Sequence, residues 1–283
     1  MGKGTLYLCA TPIGNLEDIT LRVIRTLKEV DYIVAEDTRH TLKLLNHFNI
    51  SKPLISYHKF SDRNRAEEIL SLLEDGNEIA LVSDAGMPGI SDPGEEMVKL
   101  ACQWDIPVTV LPGATAGLSA LVLSGLPSGR FVFEGFLPRE KKEMERVLAL
   151  LKSEERTVVL YEAPHRLTAT LKKLHKVLGN RRIAVIRELT KIHEEVLRFT
   201  LEEAIEHFTD NKPRGEFVLV LEGSESPGEE KEFDDIPISH HILDYMKLGL
   251  SKKEAIKKVA EDRNLPKNEV YRHSIHLPLK VEE

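Results

Sequence analysis

A chain of 283 residues, 41% hydrophobic and 30% charged, has room for two compact domains and the make-up of an ordinary globular protein. Its net charge of -7 argues against a broadly basic nucleic-acid-binding surface unless charge is segregated along the chain. No apolar run approaches a membrane span, the start MGKGTLYLCATP is too soon broken for a secretory leader, and Cys9 and Cys102 make no metal spacing, so a reduced, cytoplasmic setting is expected.

Residues 5–125 alternate between short β-branched runs and amphipathic segments. Strands are predicted at 5–9, 32–35, 54–57, 79–82 and 108–111. Helices are predicted at 21–29, 38–47, 63–74, 94–103 and 114–124, where apolar residues recur three and four apart, as in Leu21, Ile24 and Leu27. The alternation predicts a mostly parallel sheet covered by helices. The fourth strand opens into SDAGMPGISDPG, which carries Asp84 and Asp92 among glycines and prolines, at the strand end where open α/β sheets bind ligands. The first strand opens into ATPIGNLEDIT, which is neither G-x-G-x-x-G nor a Walker loop. The second opens into Glu36-Asp37-Thr38-Arg39-His40. There Asp37 is by default an N-cap, but Arg39 and His40 oppose the helix dipole and point to another task. The third opens into Ser56-Tyr57-His58-Lys59-Phe60 and the fifth into Pro112-Gly113-Ala114-Thr115-Ala116. Such loops on one sheet edge predict a cleft.

A break at 125–129 precedes a second α/β half with strands at 131–136, 157–161 and 183–186 and a helix at 141–151. The second of these strands ends in Glu162-Ala163-Pro164-His165-Arg166, and the third in Arg187-Glu188-Leu189-Thr190-Lys191. Strands at 196–200 and 217–221, with a helix at 202–208 between them, read as an antiparallel portion. Residues 224–235 hold six acids and one lysine and read as a linker. Beyond it come helices at 239–248, from a Ser251…Glu254 capping box to about 262, and at 267–275, the last two resembling a helix-turn-helix. From Lys247 to Arg272 there are eight Lys/Arg against four Asp/Glu, which fits an RNA-contacting patch or a merely solvated face. The expected divisions are 1–125, 126–223 and 224–283.

The motifs LYLCATPIGNLEDIT, AEDTRHTLKLLNHF, LVSDAGMPGISDPG, LPGATAGLSAL, FEGFLPR, YEAPHRL, RELTKIHEEV and GEFVLVLEG, in this order, span nearly the whole chain. They resemble the tetrapyrrole methylase superfamily (class III S-adenosylmethionine-dependent methyltransferases). Within it they are similar to the bacterial 16S rRNA (cytidine-2′-O)-methyltransferases. EDTR, PHR and RELTK separate that group from corrin and porphyrin relatives, while Met87 is a local departure where Thr is expected in many relatives. The resemblance implies two α/β domains with the methyl donor in a cleft between them, a small helical C-terminal segment, a homodimer and no metal. It implies as target the 2′-hydroxyl of decoding-centre cytidine 1402 in 16S rRNA on the assembled 30S subunit.

Carried over residue by residue, the resemblance implies a donor site of Pro12, Gly14, Asp84, Ala85, Gly86, Met87, Thr115, Ala116, Ala163, Leu189 and Thr190. Small-residue loops present backbone groups suited to such a ligand. The acceptor hydroxyl must lose its proton as bonding develops, and Asp37, Arg39, Glu188 and Lys191 are the catalytic candidates. Glu188 and Lys191 also fit a plain local ion pair, and the base stays unassigned. Arg39, Arg166 and Arg187 suit phosphates, with His58, His165, Lys267 and Arg272 as further RNA-binding candidates. Two rival readings stand: a superfamily enzyme acting on a tetrapyrrole or a protein, and a noncatalytic ribosome-binding factor.

Overall fold

The computed structural model describes residues 2–58, 63–92, 94–224, 236–263 and 265–278. Lys59, Phe60, the second proline of SDAGMPGISDPG and the acidic stretch 225–235, all part of the segments named above, lie outside them. The chain divides into two compact units, Met1–Ser224 and Glu225–Glu283.

In the first unit, β1 (Leu6–Cys9), β2 (Tyr32–Ala35), β3 (Leu54–Ser56), β4 (Ile79–Val82) and β5 (Val108–Leu111) form a sheet in the order β3-β2-β4-β1-β5. All its pairings are parallel. Side chains alternate between two faces, and both are buried, which is why these strands read as continuous apolar runs. Ile79 and Leu81 pack with Ile69 of α3 (Arg63–Glu74) and Met97 of α4 (Gly94–Gln103). Ala80 and Val82 pack with Val23 of α1 (Leu21–Glu29) and Leu45 of α2 (Thr38–His47) on the other side.

Chain direction explains this segregation. Crossovers between parallel strands are right-handed, so connections that move one way along the sheet place their helices on one face, and those that return use the other. Thus β1–α1–β2–α2–β3 runs outward and β3–α3–β4–α4–β5 runs back. The neighbours β1 and β4 therefore send their outgoing chains to opposite faces, and a crevice opens between their loops.

The second sheet, β6 (Phe131–Phe136), β7 (Thr157–Glu162), β8 (Arg182–Arg187), β9 (Glu195–Thr200) and β10 (Phe217–Leu221), has the order β6-β7-β10-β8-β9. Only β6 and β7 pair in parallel; the other pairings are antiparallel, as the sequence pattern predicted for 196–221. One face carries α6 (Lys141–Lys152), α7 (Leu167–Leu178) and α8 (Leu201–Asp210). The other face is covered by α5 (Ala116–Ser124), whose Ala120 and Leu121 pack on Val159, Ile186 and Val220. The helix that follows the first sheet thus serves the second, and Ile13 from the loop after β1 joins the same cluster. No element was predicted at α7, although buried Leu167, Leu171, Leu174 and Leu178 repeat at helical spacing. A short 3₁₀ turn, Leu16–Asp18, capped by Asn15, also sits in the loop after β1.

The second unit is a three-helix cluster of α9 (Ile238–Lys247), α10 (Lys252–Asp262) and α11 (Lys267–Ser274) around Ile242, Ile256, Val259 and Val270. The capping box that opens α10 is formed, with the Ser251 N–H donating to Glu254 Oε2 at 3.0 Å and the Glu254 N–H to Ser251 Oγ at 3.4 Å. Buried Arg263 donates to His241 Nδ1 at 3.2 Å, which closes the base of the cluster.

Candidate active site

The loops after β1 and β4 are tied together at the crevice. Thr11 and Gly86 form an isolated antiparallel bridge, with N–H to carbonyl distances of 2.9 and 3.1 Å. The buried Thr11 hydroxyl donates to the Ser83 carbonyl at 3.2 Å. Asp84 Oδ1 accepts the Asp37 N–H at 3.1 Å, which ties the β4 loop to the entry of α2. Asp92 accepts the N–H groups of Gly89 and Gly94 at 2.8 and 2.7 Å, so its carboxylate holds the β4 loop in shape.

Above this edge lies a cleft of about 550 Å³ between the first-sheet loops and the second sheet. It gathers Asp84, Ala85, Gly86, Met87, Thr115, Ala116, Ala163 and Leu189 from the predicted donor set. It also takes in residues outside that set: Ile13, Glu36, Asp92, Phe136, Tyr161, Glu162, Glu216 and Val218 among them. All eight lie inside the quoted motifs, and Ile13 and Glu162 adjoin residues of that set, where strand-end position was the available signal. Glu216, Phe217 and Val218 come from the start of an antiparallel strand, where a parallel-sheet rule does not look. The first turn of α5 has Thr115 as N-cap without a side-chain cap bond, and the Tyr161 hydroxyl takes the Gly117 N–H at 3.1 Å.

The charge of this cleft is one-sided. Its described lining includes Glu36, Asp84, Asp92, Glu162 and Glu216 but no Lys, Arg or His. Glu162 is committed to the protein: it accepts from the Thr170 hydroxyl at 2.5 Å and the Ala163 N–H at 2.9 Å, and pairs with Arg166 Nε at 3.3 Å. Burial pushes the Glu36 carboxyl above the usual carboxylate range, and the negative fields of Asp84 and Asp92 add to this against an opposing contribution from His58.

The turn after β8 closes the site from the second sheet. Glu188 and Thr190 adopt left-handed backbone, at φ 51° and 66°. Lys191 Nζ lies 3.0 Å from both Glu188 Oε1 and Glu216 Oε2, and Glu188 Oε1 also accepts the Glu216 N–H at 2.8 Å. Burial works to lower the Lys191 pKa, but the hydrogen bonds to Glu188 and Glu216 outweigh it and the net shift is upward. Two glycines make this packing possible. A Cβ on Gly14 would stand 2.5 Å from Lys191 Cγ and 2.8 Å from Thr190 Oγ1, and one on Gly215 would stand 2.6 Å from Glu188. Gly14 is thus where the first loop touches the turn of the second sheet. The Thr190 hydroxyl beside it is buried and has no partner among the described residues.

The remaining predicted residues fall in several places. Pro12 and Gly14 line a second, smaller cavity behind the β4 loop. Asp37 caps α2 and holds Arg39 by a two-pronged pair, at 3.1 and 2.7 Å, so the Arg39 bonds bring its pKa well below the usual carboxylate range. The capping and the functional readings of Asp37 therefore share one geometry, with the Arg39 guanidinium pointing its remaining edge to solvent. His165 is exposed beside the cleft residue Pro164. Arg166 is turned inward, onto Glu162 and the Leu137 carbonyl at 2.8 Å. Arg187 donates to the Arg214 carbonyl at 2.8 Å and pairs with Glu195. Lys267 and Arg272 are exposed on α11 of the helical unit.

The profile of the Tetrapyrrole (Corrin/Porphyrin) Methylases matches residues 5–205. A Halalkalibacterium halodurans protein named ribosomal RNA small subunit methyltransferase I is 50% identical over 271 residues, 95% of this chain and 94% of its own length. A Thermotoga maritima protein of the same name is 49% identical over 222 residues, 78% of this chain and 100% of its own length. Among solved structures, a uroporphyrin-III C-methyltransferase from Thermus thermophilus complexed with S-adenosylhomocysteine aligns with a TM-score of 0.54 at 21% identity, over 77% of this chain and 97% of that one. The chain belongs to the tetrapyrrole methylase family, in the group of relatives named ribosomal RNA small subunit methyltransferase I.

Proposed function

We infer that this protein is a cytoplasmic methyltransferase that uses S-adenosylmethionine to methylate the 2′-hydroxyl of decoding-centre cytidine 1402 in 16S rRNA, on the assembled small subunit. The observation that carries the reading is 50% identity across 95% of the chain to a small-subunit rRNA methyltransferase. The cleft suits the donor. Its volume of about 550 Å³ lies within the usual range for such ligands, and a described lining that holds carboxylates but no Lys, Arg or His favours a ligand bearing a sulfonium and an ammonium. The first turn of α5 offers backbone N–H groups to the donor's carboxylate, and the Thr190 hydroxyl, which has no partner among the described residues, offers a further hydrogen bond.

When bound, the donor would supply a methyl to the acceptor oxygen in line, with the C–S electron pair left on sulfur and the hydroxyl proton passing to solvent water. The chain's own part is to position and to set charge. Lys191, kept as an ammonium by two carboxylates, stabilises negative charge at the acceptor and does not take up the proton. The exposed edge of Arg39, with His58, His165 and Arg187, draws the RNA backbone toward a cleft that is otherwise acidic. Nucleoside mass spectrometry of small-subunit rRNA, after incubation of unmethylated subunits with enzyme and donor, tests the reaction. A methyl on the base, on a porphyrin substrate instead of RNA, or nowhere would sink it.

The helical unit is a subunit-binding accessory in this reading. The Thermotoga maritima relative leaves about a fifth of this chain without a counterpart, a share close to the size of residues 225–283. Deleting 225–283 is expected to leave donor affinity unchanged while weakening binding to small subunits about tenfold at moderate salt, with a shallower salt dependence than the full chain. Binding isotherms at several salt concentrations check this; equal slopes would make the unit a structural appendage.

The homodimer has its own motivation. Helix α5 is apolar nearly all round, and Leu118 and Val122 stay 50% and 76% exposed. Val110 on edge strand β5 and Phe131 and Phe133 on edge strand β6 add to the exposed apolar surface. Such surface on a single chain calls for a partner, and a second copy is the one proposed. Val122→Glu should convert the dimer to monomer in sedimentation equilibrium; a monomeric parent protein would remove the case for it.

A further inference from the structure

The second cavity, of about 200 Å³, borders the proposed donor cleft at Ser83 and Asp84, which line both. It is bounded by Pro12, Gly14 and Leu16 on one side and by His40, Thr41, Lys43 and Leu44 of α2 on the other. This volume falls below the ~300 Å³ at which whole small-molecule sites begin, so it suits one ring-sized group and not a second donor.

Its telling feature is Thr41. The residue is 3% exposed, it lines the cavity, and its hydroxyl has no hydrogen-bond partner among the described residues. A helical threonine ordinarily satisfies its hydroxyl on the carbonyl four residues back. Here the Asp37 carbonyl takes the Thr41 N–H at 3.0 Å, and the hydroxyl makes no bond to it. Buried hydroxyls without partners are rare because desolvation goes uncompensated. The remaining polar lining is mixed: Asp84, His40 and Lys43, all exposed. A neutral ring carrying hydrogen-bonding groups, attached to a phosphate chain that reaches Lys43, satisfies this set. A free anion would meet Asp84, and an apolar group would leave Thr41 unsatisfied.

We propose that this cavity seats the acceptor nucleoside of the substrate RNA, with Thr41 hydrogen-bonding it and Lys43 holding the adjoining phosphate. The assignment rests on the reading of the larger cleft as the donor site. A nucleoside held here would border that cleft at Ser83 and Asp84, the two residues common to both linings, with its ribose turned toward the donor methyl. Positioning of this kind is what an in-line transfer between two bound partners requires.

Thr41→Val keeps the shape and removes a hydroxyl that has no partner among the described residues, so it should melt at or above the parent temperature. Its kcat/KM for methyl transfer to isolated small subunits should fall about tenfold, the equivalent of one neutral hydrogen bond. Leu16→Trp, which narrows the cavity from its 40%-exposed wall, should reduce transfer at least as much. Both variants should bind S-adenosylhomocysteine in calorimetry within about twofold of the parent, as expected if the two cavities serve different ligands. Parental transfer by both variants overturns the acceptor assignment. So does a loss of S-adenosylhomocysteine affinity that matches the loss of transfer, because the cavity would then belong to the donor. A parent protein that binds no S-adenosylhomocysteine is a different failure: it removes the donor reading, and this inference with it.

Discussion

Lys191→Ala is expected to lower methyl transfer to small subunits by about 100-fold or more, a loss typical of removing one preorganised charge from a reaction centre. Affinity for S-adenosylhomocysteine should change by less than about threefold. In the turn after β8, Nζ sits 3.0 Å from the carboxylates of Glu188, which also feels the charge of Arg187, and of Glu216. Without the ammonium, Glu188 and Glu216 present more negative charge to an incoming phosphate chain. Lys191→Arg keeps the charge but not the point geometry and should recover part of the rate. The net upward pKa shift at Lys191 means its stabilising contribution is complete below the unfolded lysine value of ~10.4 and is lost only as pH rises through the folded value. The pH–rate profile between neutrality and mild alkali should therefore show no limb from this group. Single-turnover kinetics with pre-bound donor give the clearest readout, and an alanine variant within about threefold of the parent rate would leave Lys191 a plain structural ion pair.

The loops that line the cleft were legible because their signals are local. SDAGMPG follows an uninterrupted apolar strand, and the structure puts Asp84 through Met87 on the cleft as that pattern implied. The juxtaposition of Gly14 with Thr190 and Lys191 joins residues far apart in the chain, and no pattern within either loop announces the pairing. Glu36 is a similar case. In sequence it is one charge in a polar run, and its burial becomes visible only once β2 and β4 lie side by side. Arg166 shows the opposite limit: PHR reads as exposed and basic, yet the salt bridge to buried Glu162 draws the guanidinium inward. Helix α7 had the signal, four leucines at spacings of four, three and four, but the polar strand-end motif before it drew the reading elsewhere.

Asp84→Asn should weaken S-adenosylmethionine binding by about ten- to a hundredfold, equivalent to a charge-assisted hydrogen bond of about 1.5–3 kcal/mol. Asparagine retains an oxygen for the Asp37 N–H that Asp84 holds at 3.1 Å, so the β4 loop keeps its tie to α2 and only the charge is lost. The loss should be smaller for S-adenosylhomocysteine, whose neutral thioether no longer gains from a carboxylate-lined cleft. Glu36 couples to the same event. Burial first, and the Asp84 and Asp92 charges next, raise its pKa, so the folded protein holds that proton more tightly than the unfolded chain. Its ionisation therefore costs stability above the folded pKa, and the cost is relieved as pH falls through that value. A cationic donor favours the ionised form. S-adenosylmethionine affinity should accordingly fall as pH drops through the folded Glu36 value, which lies above the ordinary 4.5, and proton release should accompany binding near it. In Asp84→Asn one of the raising charges is gone, so this loss should begin at lower pH. Calorimetry in buffers of different ionisation enthalpy measures affinity and proton release together. Equal losses for the sulfonium and the thioether, with no proton release in the parent, would mean the acids of this cleft shape its loops without sensing the donor's charge.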